Sequence, residues 1–249
     1  MKDIKMVEAV GFDKHFHTSS WQEGNRLFFN QLARKYDVLN EIISLGQQGF
    51  YKRSAVEDLN LKPGDRALDL CTGTGDMAFF MASQNHTITV DAVDVSETML
   101  DIAREKEARF GLNNIHFQIA DALILPFENN TFDVVMMAFG LRNFADISKG
   151  LEEIYRVLKP GGRFITLDLG KPRGLGKGLY HIYYERLMPW LGKVVFHRNE
   201  YNSYHYLSTS NKYFPPPEDI ILMMRHVGFK DVYGKEYMLG GVAQQVGLK

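Results

Sequence analysis

The 249-residue sequence has a single cysteine, which excludes a disulfide within the chain and suits a reducing compartment. No apolar run approaches the roughly 20 residues of a membrane span. The opening residues, MKDIKMVEAVGFDKHF, lack the apolar core of a signal peptide. Neither sign of charge is in excess: 29 Lys plus Arg face 30 Asp plus Glu, for a net charge of -1. That balance argues against a protein whose binding is dominated by nucleic-acid phosphates. The 8 histidines show no zinc spacing such as H-E-x-x-H, so no metal is expected. Internal repeats and low-complexity tracts are also missing. What remains is 45% hydrophobic and 24% charged, a globular composition long enough to bury a full core. A soluble cytosolic protein is expected, with contact to a membrane surface left open.

Periodicity divides the chain. Residues 1–25 are polar and mixed and read as a mobile arm. Leu27, Phe28, Leu32, Tyr36, Leu39 and Ile43 recur at steps of three or four, predicting an amphipathic helix broken near Asp37. Helix resumes over Tyr51–Leu61, and Pro63-Gly64 ends it. Short apolar strands then alternate with helices. The strands are Arg66–Cys71, Ile88–Asp94, His116–Ala120, Phe132–Ala138 and Arg163–Leu169. Helices fall at Asp76–Ala82, after the N-cap Ser96 up to Gly111 with Met99, Ile102, Ala103 and Phe110 on one face, and around Leu151–Leu158. Such alternation predicts an α/β fold, a mostly parallel doubly wound sheet with helices on both faces. A helix over Pro217–Val227 and a final hairpin, Phe229–Tyr237 with Gly241–Val246, bring the sheet to seven strands. One domain over 26–249 is expected, with a helical cap built from 26–60 and 171–216.

The sharpest motif is Asp69-Leu-Cys-Thr-Gly73-Thr74-Gly75-Asp76, between a strand and a helix. Glycines there let backbone approach a ligand closely. Gly73-x-Gly75-x-x-Ala78 also fits the dinucleotide pattern, and Asp94 lies where an acid would hold ribose hydroxyls, so NAD is an alternative. Three features favour S-adenosylmethionine. Asp69 suits the cationic amino-acid end of that cofactor and would repel a pyrophosphate. Asp121 closes the third strand where an acid can accept from the adenine amino group, and Ala122 leaves room for the ring. Leu158-Lys-Pro-Gly-Gly162 resembles the turn that class I methyltransferases carry before their fifth strand. The plainer alternatives are that Asp94 caps the following helix and that Asp121 starts a turn. Cys71 reads as a packing residue.

Longer blocks resemble one family, the ubiquinone/menaquinone biosynthesis C-methyltransferases. They are LARKYDVLN at Leu32–Asn40, SLG at Ser44–Gly46, LDLCTGTGD at Leu68–Asp76, FGLRN at Phe139–Asn143, YRVLKPGG at Tyr155–Gly162, SYHYL at Ser203–Leu207 and MMRHVGF at Met223–Phe229. The FGLRN block is the most diagnostic, since generic methyltransferase motifs do not include it. The resemblance implies a Rossmann-like class I methyltransferase that methylates a ring carbon of a prenylated quinol, either a demethylmenaquinol or a polyprenyl benzoquinol. It implies cofactor contacts from Asp69, Gly73, Thr74, Gly75, Asp94, Val95, Asp121 and Ala122, and from the backbone of Ala138. On the acceptor side it implies Arg142, Asn143 and Tyr204, with Arg142 stabilising a quinolate because guanidinium is too basic to act as a general base. Tyr36, Asp37 and Tyr206 are further candidates for orienting the ring. Asp168 stands where the family more usually has Glu. The aromatic-rich stretch Leu175–Phe196 reads as a greasy lid, with Lys171, Arg173, Lys177 and Lys193 near lipid headgroups, or as a buried face. A homo-oligomer is left open. Another small phenolic or terpenoid acceptor, and a non-catalytic donor-binding subunit, are the functional alternatives.

Overall fold

The structure, a computed structural model, describes residues 18–173, 178 and 214–249. Two helices come first, α1 (Thr18–Ile43) and α2 (Gln48–Leu59). Next follow β1 (Arg66–Leu70), α3 (Asp76–Ala82), β2 (Thr89–Asp94), α4 (Glu97–Phe110), β3 (Ile115–Ile119), β4 (Phe132–Ala138), α5 (Ile147–Val157) and β5 (Leu158–Leu169). After the described gap come α6 (Pro217–Val227), β6 (Lys230–Tyr237) and β7 (Val242–Leu248). The strands form one seven-stranded sheet in the order β3-β2-β1-β4-β5-β7-β6. The first five run parallel, and the C-terminal hairpin adds β7 antiparallel to β5. The expected fold class is therefore observed.

Alternation along each strand sorts side chains to two faces. Ala67, Val134, Met136, Ile165 and Leu167 meet α2 and α3 on one face. Leu68, Leu70, Val135, Met137 and Phe164 meet α5 and α6 on the other. Both faces are covered, as the continuous apolar run of β4 requires. Strand order reverses between β1 and β4, because β1 leads outward to β2 and β3 while β4 leads the other way. Open sheets of this kind bind ligands in the crevice at the carboxyl ends of those two strands.

Several local expectations are corrected. Helix α1 runs unbroken through Asp37, and its described part spans Thr18–Ile43; residues 1–17 of the stretch read as an arm lie outside the described residues. Asp37 does not break it because its carboxylate is engaged away from its own backbone, by Thr74 and Lys106. Helix α2 ends at Asn60, which takes the left-handed conformation and donates its N–H to Glu57 O, before Pro63-Gly64 is reached. Lys159–Gly162 belongs to β5, where the pairing with β4 slips between Phe132 and Val134. Phe110, expected on the buried face of α4, is 65% exposed and packs against Phe79, 5.3 Å between ring centroids. Ser96 does cap α4, accepting from Met99 N, and Gly111 closes it.

Met136 is fully buried at the centre of β4. Met136→Ala is expected to lower stability by about 2–5 kcal/mol in urea unfolding, whereas Leu222→Ala, on the half-exposed side of α6, should change it by less than about 0.5 kcal/mol. Equal effects would contradict the layer assignment.

Candidate active site

The turn after β1 is built around Asp69. This side chain is 1% exposed, and its Oδ2 accepts from Thr72 Oγ1 (2.5 Å) and from the N–H of Ala78 in the first turn of α3 (2.9 Å). One carboxylate oxygen thus ties the turn to the helix that follows. The backbone between them needs glycine at Gly75, where φ is +91° and a Cβ would meet the Phe79 ring at 2.7 Å. Asp94, at the end of β2, receives the other side of the turn. Its Oδ2 accepts from Gly73 N and its Oδ1 from Ser96 N, both at 2.9 Å. Asp94 does brace the start of α4, yet it also faces the glycines, and each carboxylate oxygen has a second lone pair for a ribose hydroxyl.

Charge at this turn is lopsided. Asp69 Oδ1 is buried with no hydrogen-bond partner among the described residues. Burial pushes the Asp69 pKa up to about 7 despite the bonds from Thr72 and Ala78, with Asp94 and Asp76 adding repulsion. Burial also raises Asp94, against the N–H groups of Ser96, Gly73 and Val95. Burial would raise Asp76 too, but Lys52 and Lys106 hold it below the usual carboxylate range. A cationic ligand relieves such a site and a pyrophosphate does not. The orphaned oxygen of Asp69 therefore fits the amino-acid end of a sulfonium donor and disfavours a dinucleotide.

The remaining expected residues fall on the same rim. Asp121 follows β3 and does start a turn, its Oδ1 accepting from Leu123 N at 2.9 Å; Ala122 beside it is buried. Val95 is 37% exposed between β2 and α4, and Ala138 ends β4. Cys71 lies among them. Burial, with Asp94, Asp69, Asp121 and Asp168 around it, pushes its thiol well above the ordinary range, so it is a packing residue and not a nucleophile.

The FGLRN block follows β4. Phe139 adopts φ +59°, and Gly140 is required because a Cβ there would come 2.8 Å from Cys71 Cβ. The turns after β1 and β4 therefore meet directly. Arg142 lies in the short 3-10 turn that follows and is 9% exposed. Its Nη1 donates to Asp168 Oδ1 and to Phe139 O, both at 2.7 Å, while Asp168 Oδ2 accepts from the Arg142 N–H at 3.2 Å. Arg142 and Asp168 thus form an ion pair between the β4 turn and β5. Asn143 Nδ2 donates to Phe139 O at 3.4 Å. Tyr51 packs edge-on against Phe139, 6.0 Å between centroids, and Tyr237 lies 6.1 Å from Tyr51. Tyr204 and Tyr206 lie outside the described residues, as do most of the 171–216 cap and the 175–196 stretch. Arg173, expected near headgroups, pairs with Glu218 on α6.

The sequence from residue 19 to residue 249 matches the ubiE/COQ5 methyltransferase family. The chain belongs to that family. A demethylmenaquinone methyltransferase of Thermus thermophilus is 41% identical over 216 residues, spanning 86% of this chain and 96% of its own. A ubiquinone/menaquinone biosynthesis C-methyltransferase of Haemophilus ducreyi is 37% identical over 94% of this chain and 92% of its own. Among solved structures, an Aquifex aeolicus SAM-dependent methyltransferase aligns with a TM-score of 0.58 at 19% identity, over 94% of this chain and 98% of its own. A Haemonchus contortus phosphoethanolamine N-methyltransferase in complex with S-adenosyl-L-methionine aligns at 0.67 and 18%, over 96% of this chain and 61% of its own. These two show the fold.

Within this ubiE/COQ5 family member the sequence reading missed Lys52, Asp76 and Lys106, and it missed Asp168 as the partner of Arg142. No spacing marks Lys106, 32 residues from the Thr74 hydroxyl it reaches at 3.0 Å. The helical period did place Tyr36 and Asp37 one step apart, but not over the turn. There the Tyr36 ring lies 3.8 Å from where a Gly73 Cβ would be. Burial raises the Tyr36 pKa and keeps the phenol protonated.

The raised pKa of Asp69 couples folding to pH. The folded protein holds this proton more tightly than the unfolded chain, so the group favours folding below about pH 4 and that contribution is lost as pH rises through about 7. A bound cation reverses the preference. S-adenosylmethionine affinity, measured by calorimetry, is expected to fall about tenfold from pH 8 to pH 6, and Asp69→Asn should flatten the profile. A flat profile in the unaltered protein would contradict the assignment.

Proposed function

We propose that this protein transfers the methyl group of S-adenosylmethionine to a ring carbon of a prenylated quinol, as demethylmenaquinone methyltransferases do. The observation that carries this reading is the family match across residues 19–249, falling on a crevice built for a cationic donor. The donor supplies a methyl on positive sulfur, already activated for transfer, so the protein's task is alignment and control of charge.

The chain's own residues divide that task. Asp69 and Asp94 hold the donor side at the β1 and β2 ends, with Thr74 between the glycines and Asp121-Ala122 at the β3 end. The acceptor side begins at Phe139. A quinol ring carbon becomes nucleophilic when its neighbouring hydroxyl ionises. Arg142, fixed by Asp168 and Phe139 O, sets a permanent positive charge beside the β4 turn that favours this ionisation. The planar guanidinium directs hydrogen bonds that an ammonium would not reproduce. Asn143 and Tyr204 orient the ring. After the methyl bonds to carbon, the proton on that carbon leaves through water and the ring regains its aromatic form.

An exposed apolar margin supports an acceptor with a long hydrocarbon tail. Leu45 (59% exposed) and Phe50 (70%) flank a cavity of about 420 Å³ lined by Gly46, Gly49, Phe50, Arg53, Ser54 and Glu57. Phe50 lies edge-on to Tyr237, 6.4 Å between centroids, and Leu239 beyond it is 73% exposed. No helix among the described residues is long and apolar enough to cross a membrane. The proposed tail and this margin support a peripheral stance at a membrane surface.

Mass spectrometry of quinones from cells lacking the protein tests the acceptor. Accumulation of a prenylated quinol short by one methyl is expected, and an unchanged quinone pool would contradict it. Arg142→Lys, which keeps the charge but loses the fork, should retain donor binding while lowering turnover on a demethylmenaquinol by at least about 100-fold. Full turnover would remove Arg142 from the chemistry.

A further inference from the structure

Helix α1 lies across the glycine-rich turn, and its described apolar anchorage is slight. Leu32 and Leu39 form a satellite cluster with Phe29, Tyr36 and Ile43, separate from the two large clusters of the sheet. Polar contacts tie the helix down instead. Asn30 Oδ1 accepts from Ser96 Oγ at 2.5 Å, and Asp37 engages the turn itself.

Asp37, Thr74 and Lys106 close a triangle. Thr74 Oγ1 donates to Asp37 Oδ1 at 2.6 Å, Lys106 Nζ meets Asp37 Oδ2 at 2.6 Å, and Lys106 Nζ donates to Thr74 Oγ1 at 3.0 Å. The third ammonium proton goes to Asp76 Oδ1 at 3.2 Å. An ammonium has three N–H groups, and all three are placed. Lys106 thereby joins α1, the turn and the start of α3 from its own position on α4. A second cation, Lys52, carries the tie from Asp76 Oδ2 (2.9 Å) to Gln48 (3.0 Å) on α2.

The arrangement puts α1 over the glycine-rich turn, with Tyr36 against Gly73 and Asp37 on Thr74. A donor seated on that turn would lie beneath α1. We propose that Lys106 is a positioning residue for the donor, holding α1 closed over the glycine-rich turn through Asp37 and Thr74. This rests on the reading of the crevice as the S-adenosylmethionine site. Lys106 itself does not touch the reacting atoms. Its effect belongs to the rate at which donor and demethylated product escape. The pair is partly open to water, with Asp37 40% and Lys106 21% exposed, so added salt weakens it.

Stopped-flow dissociation of S-adenosylmethionine from the full chain tests this. Lys106→Met is expected to speed dissociation by about three- to fivefold, and Lys106→Arg to recover most of the loss, since the charge remains. In the unaltered protein the off-rate should rise with salt, and in Lys106→Met that dependence should largely vanish. A merely structural role would not give this salt signature. If Lys106→Met does not fold, Asp37→Asn breaks the same ion pair from α1 and should show the same faster, salt-insensitive release. An off-rate unchanged in these variants, or raised equally in Lys106→Arg, overturns the proposal. Failure of the unaltered protein to bind the donor would instead overturn the cofactor assignment.

Discussion

Three carboxylates, Asp69, Asp76 and Asp94, converge on a single glycine-rich turn, and much of the surrounding structure exists to tolerate them. Asp69 is the hardest to accommodate. It is fully interior, it ties the turn to α3 through one oxygen, and its second oxygen has no donor among the described residues. Asp94 is held by backbone N–H groups and Asp76 by two lysines. Leaving a buried acceptor unsatisfied costs more than an average hydrogen bond contributes, so such a group is retained where a ligand completes it. The sign of what is missing is positive.

That constraint reaches the acceptor side through contact between two turns. Gly140 has no Cβ because Cys71 occupies the space, so the turns after β1 and β4 are locked at one separation. Arg142 and Asp168 then form a buried pair directly beyond the contact. Taking both charges out of water is costly, and the pair holds the guanidinium in one orientation at the end of β4. On the proposed reading, a negative pocket for the donor and a guanidinium for the ionised acceptor sit on neighbouring strand ends of one sheet.

The sheet was legible because strand and helix periods differ so sharply. β4, Phe132–Ala138, is apolar at nearly every position, and both of its faces are covered. The glycine turn was legible because its residues are contiguous, and Asp94 because it ends a strand at the expected distance. Helix breaks read less well. Asp37 looked like an interruption because the sequence does not show that its carboxylate is occupied elsewhere. Lys106, Lys52 and the Arg142–Asp168 pair were invisible for a related reason. Each joins residues at least 24 positions apart, and a lysine on a helix reads as ordinary surface until the neighbouring element is in place. Contacts made by folding carry no local signature.

The account stands on the claim that this crevice recognises a positively charged sulfur donor. Titration of the purified protein with S-adenosylmethionine and, separately, with NAD at neutral pH addresses that claim most directly. Saturable heat with the sulfonium compound, weakened in Asp94→Ala and unaffected by the dinucleotide, is the predicted result. Saturable binding of NAD with silence toward the sulfonium donor would contradict it.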